Sequence, residues 1–121
     1  CGSIILISSN NSTAHFADVA VYASAKSAAE KMSRHAAIEL AKYGIRVNAI
    51  APGWTDTGAA RLDAKEETYY KIPLKKWTTV KEIGQTAVFL SSNSASSITG
   101  TTILIDNGAC LVSDKCERYG F

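Results

Sequence analysis

Three short apolar runs alternate with helix-forming segments along this chain, and that alternation restricts the fold more than any other feature. The runs are Ile4-Ile5-Leu6-Ile7, then Ile45-Arg46-Val47-Asn48-Ala49-Ile50-Ala51, then Thr101-Thr102-Ile103-Leu104-Ile105-Asp106. β-Branched side chains fit a pleated surface, and short runs closed by polar turn residues have strand length. Between the first two, Ala20 to Lys42 places small and apolar residues near helical spacing: Ala25, Ala28, Ala29, Met32, Ala36, Ile38 and Leu40. The alanines along one face would let another helix come close. Gly44 is expected to stop this helix, and Pro52-Gly53 to end the second strand. Between the second and third runs, Thr79 with Glu82 three residues on reads as a capping box opening a helix from about Val80 to Ser91.

Strand, helix, strand, helix, strand predicts parallel strands joined by right-handed crossovers. The fold class is therefore α/β, part of a doubly wound parallel sheet with helices on both faces. The unbroken Ile4–Ile7 run predicts a strand buried on both faces. From Thr55 to Trp77 the pattern is looser, with weak helical character from Ala59 to Tyr70, and the tail from Leu111 is polar and peripheral.

At 121 residues the chain is about one small domain. Its apolar fraction of 46% and charged fraction of 20% belong to a folded protein rather than a disordered one. The net charge of +2 is scattered, which argues against nucleic acid or an anionic membrane as partner. No apolar run reaches the ~18 residues of a membrane span. Cys1, Cys110 and Cys116 show no CxxC spacing and no nearby histidine, so reduced thiols in a cytoplasmic protein are expected and no metal site is. The chain begins with Cys1 rather than methionine, and the expectation is a fragment.

Tyr22 and Lys26 stand four positions apart at the head of the first helix, so they lie one above the other. A phenol ordinarily ionises at a pH of about 10, and an ammonium close by favours the phenolate. The pair is therefore a candidate proton carrier. Ser9, thirteen residues before Tyr22, sits where the first strand ends, and strand ends are where parallel sheets place their ligands. A Tyr-x-x-x-Lys pair alone is common on ordinary helices; its company here is not. Tyr22-Ala23-Ser24-Ala25-Lys26, the Ser8-Ser9 pair and Arg46-Val47-Asn48-Ala49-Ile50-Ala51-Pro52-Gly53 occur together in one order and spacing.

In these residues the sequence resembles the short-chain dehydrogenase/reductases, especially their small tetrameric members such as glucose dehydrogenases and 3-oxoacyl carrier-protein reductases. The likeness runs from Gly2 to about Leu111 and corresponds to the fifth strand onward of a family member about twice as long. It implies the C-terminal, catalytic half of a Rossmann-like domain over residues 1–121, with the half that holds most of the dinucleotide absent. The implied activity is interconversion of a secondary alcohol and a ketone or aldehyde, with NAD or NADP as cofactor.

The resemblance also assigns roles. Tyr22 would be the general acid/base, and Lys26 would assist it and hydrogen-bond the nicotinamide ribose. Ser9 would hold the substrate carbonyl; Ser8 competes for that role, but the spacing to Tyr22 matches the family at Ser9. Pro52 and Gly53 would turn the chain beside the nicotinamide, Thr55 would meet its carboxamide and Thr57 would hydrogen-bond the cofactor. Thr57 to Tyr70 would form a substrate lid, and Asn48 would brace the site. Asn107 stands where the family usually has glycine, a departure that touches the subunit interface. A homotetramer or homodimer is implied for the full-length protein.

Other residues weigh less. His15 is expected on an exposed loop, Trp54 and Phe16 are pocket or packing residues, and Asp18 and Asp56 are turn residues. The eight glycines are isolated, with no glycine-rich phosphate turn after a strand. This chain alone is therefore expected to be inactive. A non-catalytic remnant or interaction module is the alternative, opposed by the intact Ser9, Tyr22 and Lys26. A hydrolase using Ser9 lacks a histidine base and a nucleophile elbow.

Overall fold

The computed structural model describes residues 2–15, 17–58, 68–69 and 71–112. Its main elements run in the order the alternation predicts, β1 (Gly2–Ile7), α1 (Ala20–Leu40), β2 (Ile45–Pro52), α2 (Val80–Ser91) and β5 (Thr102–Ile105), with two unpredicted short strands between β2 and α2, β3 (Thr55–Asp56) and β4 (Thr78–Thr79). The three main strands form one parallel sheet in the order β1-β2-β5. This is the expected α/β fold with a parallel sheet.

The register assigns the two faces. Ile7 and Ile103 both pair with Ile50, Ile5 with Asn48 and Ile105 with Pro52, so these side chains share one face. There Ile50, Leu90 and Ala95 form a fully buried cluster with Ile5, Ile83, Ala87, Ile98, Ile103 and Ile105 packed around it, which places α2 on that side. Burying one such Ile or Leu contributes about 1.5–3 kcal/mol. Val47, Ala49 and Ala51 point the other way and are equally buried, on the side where α1 packs along β2. Helices thus cover both faces.

β1 departs from expectation. The strand with a continuous buried run is β2, over Val47–Ala51, whereas Ile4 and Ile7 of β1 are 42% and 50% exposed. The reason is position: β2 is paired on both edges, while β1 pairs only with β2 among the described residues.

Helix ends follow local chemistry. α1 stops at Leu40, two residues before the expected end, and tightens into a 3-10 turn over Ala41–Tyr43. Gly44 closes it with φ of 68°, a left-handed conformation that glycine adopts without steric cost, and donates its N–H to Ala41 O. The capping box of α2 is present as read: Thr79 Oγ1 accepts from the Glu82 N–H, and Glu82 accepts from the Thr79 N–H. The weak helix expected over Ala59–Tyr70 lies mostly outside the described residues, as do Phe16, Cys1, Cys116 and most of the tail. No helix among the described residues is long and apolar enough to cross a membrane.

Candidate active site

The C-terminal ends of β1 and β2 open onto a cleft of about 390 Å³ lined by Ser9, Asn10, Asn11, Val19, Tyr22, Gly53, Trp54, Thr55 and Trp77. It lies at the strand ends, where parallel sheets bind ligands. The sequence-predicted residues come together here unequally.

Ser9 lies two residues past the end of β1, in extended backbone, and caps a short 3-10 turn over Asn10–Ser12. It is buried, and its Oγ accepts from the Asn11 N–H and from Asn11 Nδ2, both at 3.2 Å. Two accepted bonds leave the Ser9 proton free to point at a ligand. Ser8, the competing candidate, turns the other way: its hydroxyl lies 2.8 Å from Glu30 Oε1 and 3.2 Å from Lys26 O. The strand's alternation separates the two serines.

Tyr22 sits in the first turn of α1, 47% exposed, and lines the cleft with Ser9. Lys26, one turn on, places its Nζ 5.6 Å from the centroid of the Tyr22 ring. The same Nζ donates to the Ile7 carbonyl at 2.9 Å, fastening α1 to the end of β1.

Pro52 ends β2. Gly53 lines the cleft, donates its N–H to Ile105 O and packs directly on Asp106. Thr55 also lines the cleft, and its Oγ1 donates to Gly53 O at 3.0 Å. Thr57 is exposed and stands apart from the cleft wall. Most of the lid assigned to Thr57–Tyr70 falls outside the described residues.

Several supporting readings can be placed. Asn48 is fully buried; its Nδ2 donates to Ile98 O and its Oδ1 accepts from the Thr101 N–H, so it braces the loop entering β5. Trp54 is on the cleft wall. His15 is exposed; Asp18 is also exposed, with φ of 64°; and Asp56 Oδ1 accepts from the Gly58 N–H in a turn. Asn107 has φ of 55°, the region glycine favours, and asparagine tolerates it. Its Nδ2 donates to Thr78 Oγ1. No group of three or more His, Cys, Asp or Glu suited to a metal ion occurs among the described residues.

Asn11, Val19, Trp77 and Glu30 were not foreseen. Asn11 Oδ1 is a buried acceptor with no partner among the described residues, at the wall of the cleft. Trp77 reaches the cleft because the residue after it, Thr78, pairs in parallel with Thr55, and its Nε1 donates to Thr68 Oγ1 at 2.7 Å. That two-residue bridge is too short to leave a periodic signal. Glu30 had one: it continues the four-residue spacing of Tyr22 and Lys26.

A family model described as Enoyl-(Acyl carrier protein) reductase matches residues 1–110. Among curated proteins, "Uncharacterized oxidoreductase YxjF" of Bacillus subtilis is 35% identical over 88% of this chain and 48% of its own length. The 3-oxoacyl-[acyl-carrier-protein] reductase FabG of Buchnera aphidicola is 42% identical over 72% of this chain and 37% of its own. "Short-chain dehydrogenase srdC" of Neurospora crassa is 31% identical over 93% of this chain and 43% of its own length. Among solved structures, acetoin dehydrogenase from Enterobacter cloacae superposes with a TM-score of 0.84 at 30% identity, over 94% of this chain and 45% of that one. The chain spans about half the length, or less, of the relatives it matches. With the parallel sheet and strand-end cleft described above, these matches show that the chain belongs to the short-chain dehydrogenase/reductase family.

Proposed function

We propose that this chain forms the catalytic half of an NAD(P)-dependent oxidoreductase that interconverts a secondary alcohol and a ketone or aldehyde. The observation that carries the reading is the shared cleft: Ser9 and Tyr22 on its wall, with the Lys26 ammonium 5.6 Å from the Tyr22 ring. Tyr22 passes the proton to or from the substrate oxygen. Lys26 stabilises negative charge developing on the phenol oxygen while its other contact holds the helix to β1. Ser9, its oxygen already accepting from Asn11, donates its proton to the same substrate oxygen and steadies charge there.

The cleft fits the nicotinamide end of a dinucleotide. Its volume admits a planar ring beside a small carbonyl compound, and the unpartnered Asn11 Oδ1 calls for a donor from a ligand. Tyr22, Lys26, Pro52, Gly53 and Thr55 are the residues we assign to holding it, and Thr57, which stands apart from the cleft wall, is assigned to the part of the cofactor outside the cleft. When bound, NAD or NADP supplies or accepts the hydride. In line with the family, the complete protein assembles as a homo-oligomer through the outer face of α1, where Val21 and Met32 are 87% and 59% exposed.

Nicotinamide-cofactor turnover by the complete protein, tested with secondary alcohols and their carbonyl partners and compared with Tyr22→Phe, tests this reading. A non-catalytic protein shows no turnover in either form.

A further inference from the structure

Tyr22, Lys26, Glu30 and Arg34 occupy one row of α1, a helical turn apart. The first two belong to the proposed chemistry. Glu30 is a different matter: it is only 6% exposed, and a glutamate is almost never so buried unless paired. Its Oε2 meets the Arg34 guanidinium at 3.5 Å. Its Oε1 faces inward and takes two hydroxyls, Ser8 at 2.8 Å and Ser12 at short range.

Ser8 and Ser12 are the two ends of the turn that carries Ser9. Ser12 Oγ also lies 2.7 Å from the Ser9 carbonyl, and Ser27 donates its hydroxyl to Ser12 O at 2.9 Å. Ser9 Oγ itself is engaged within the turn, by Asn11. The placement of Ser9 relative to Tyr22 therefore depends on how the turn is gripped by the helix, and Glu30 grips it at both ends. A carboxylate suits this task because its oxygens can accept several bonds at once. Without it, Ser8 and Ser12 would keep only their carbonyl partners, Lys26 O and Ser9 O, and the Ser12 end of the turn would lose its side-chain link to the Glu30 carboxylate.

We infer that Glu30 is a positioning residue, whose buried carboxylate sets the Ser9 turn against the helix that carries Tyr22. The inference rests on the proposed reading of Ser9 and Tyr22 as the reacting pair. It makes Glu30 act through Ser9, not on substrate.

The test measures kcat and KM for the complete protein and its Glu30→Ala, Glu30→Gln, Ser9→Ala and Ser9→Ala/Glu30→Ala variants, with amide hydrogen exchange at Ser12, Thr13 and Ala14. Glu30→Ala lowers kcat about a hundredfold, the scale of a loss from misplacement by about 1 Å, with little change in KM. Glu30→Gln, which keeps an acceptor oxygen, retains most activity. Adding Glu30→Ala to Ser9→Ala costs nothing more, because the group it positions is already gone. Exchange at Ser12 and Thr13, whose N–H groups bond to Ser9 O and Asn10 O, becomes faster in Glu30→Ala. If Glu30→Ala fails to fold, Ser12→Ala removes one of the two donors and is read through the same cycle. Equal losses with and without the Ser9 hydroxyl would overturn the inference, as would unchanged exchange in the turn. Activity surviving Tyr22→Phe would instead overturn the catalytic reading, while the exchange data still decide whether Glu30 holds the turn.

Discussion

Gly53 and Asp106 stand so close that no side chain fits between them: a Cβ on Gly53 would lie 2.7 Å from Asp106 Cβ and 2.9 Å from its Cα. The two residues follow β2 and β5, and the Gly53 N–H bonds to Ile105 O at 2.9 Å. The same Cβ would come 3.3 Å from Asn10 Nδ2 in the turn after Ser9. Close approach of the strand ends is thus what makes the floor of the cleft, and glycine permits it.

Gly53→Ala is therefore expected to destabilise the protein by about 1–3 kcal/mol through overpacking. Gly84→Ala is the opposite case: it lies inside α2, and nothing stands within 4 Å of the added Cβ. That substitution is expected to stabilise by about 0.5–1 kcal/mol. Urea unfolding of both variants checks the pair; equal effects would contradict the packing described at Gly53.

Glu82 makes the start of α2 sensitive to acid. The Lys76 ammonium, 2.5 Å from its Oε1, is the main cause that holds its carboxyl at about 2 rather than 4.5, with the Thr79 N–H and hydroxyl adding to it. A carboxyl lowered on folding stabilises above its unfolded value and loses that contribution as pH falls through its folded value. The stability gap between wild type and Glu82→Gln is thus expected to be full above pH 4.5 and to close towards pH 2. A gap independent of pH would exclude the charge as its source.

Cys110 is expected to be inert. Burial pushes its thiol up to about 12, and Asp106, whose Oδ2 also accepts the Cys110 N–H, adds to the shift. The thiolate is the reactive form. Iodoacetamide at mildly alkaline pH should therefore spare Cys110 in the native protein and label it in urea, as read by peptide mass mapping. Because the folded form holds this proton more tightly, the linked stability is present below pH 9 and is lost as pH rises towards 12. Rapid native labelling at Cys110 would refute this.

The outer face of α1 carries the prediction on assembly. Val21, Ala25, Ala28 and Met32 form an exposed stripe at helical spacing. Met32→Glu replaces its most exposed large apolar side chain after Val21 with a charge and is expected to reduce the mass of the complete protein in sedimentation. An unchanged assembly would place the interface elsewhere.

That same helix shows where sequence reading succeeds and where it stops. The three main strands, both helices and the Thr79–Glu82 capping box are legible because each has a local signal in spacing or end chemistry. The apolar stripe of α1 was legible too, yet Ala25, Ala28 and Met32 are exposed while Glu30 and Ser33 are buried. Hydrophobic periodicity identifies a buried face only when that face is apolar. Here the inner face mixes Ala37 with Glu30 and Ser33, and Glu30 is satisfied by Ser8 and Ser12, eighteen or more residues away, so its burial is set by contacts that no local pattern contains. β1 was misread for a related reason: an apolar run states that a strand is fit for burial, not which edge has a neighbour. Ser9 and Tyr22 were found from spacing, whereas Asn11 and Trp77 reach the cleft through a tight turn and the two-residue β3–β4 bridge.

The central claim is that one phenol, Tyr22, carries the proton in a cleft it shares with Ser9. Its most direct test is kcat for nicotinamide-linked turnover by the complete protein against Tyr22→Phe, with thermal unfolding measured alongside. The account predicts that kcat falls by about a hundredfold or more while the unfolding midpoint stays in place, since the Tyr22 side chain is half exposed. Turnover within about twofold of wild type, far less than loss of a general acid/base would cost, would contradict it.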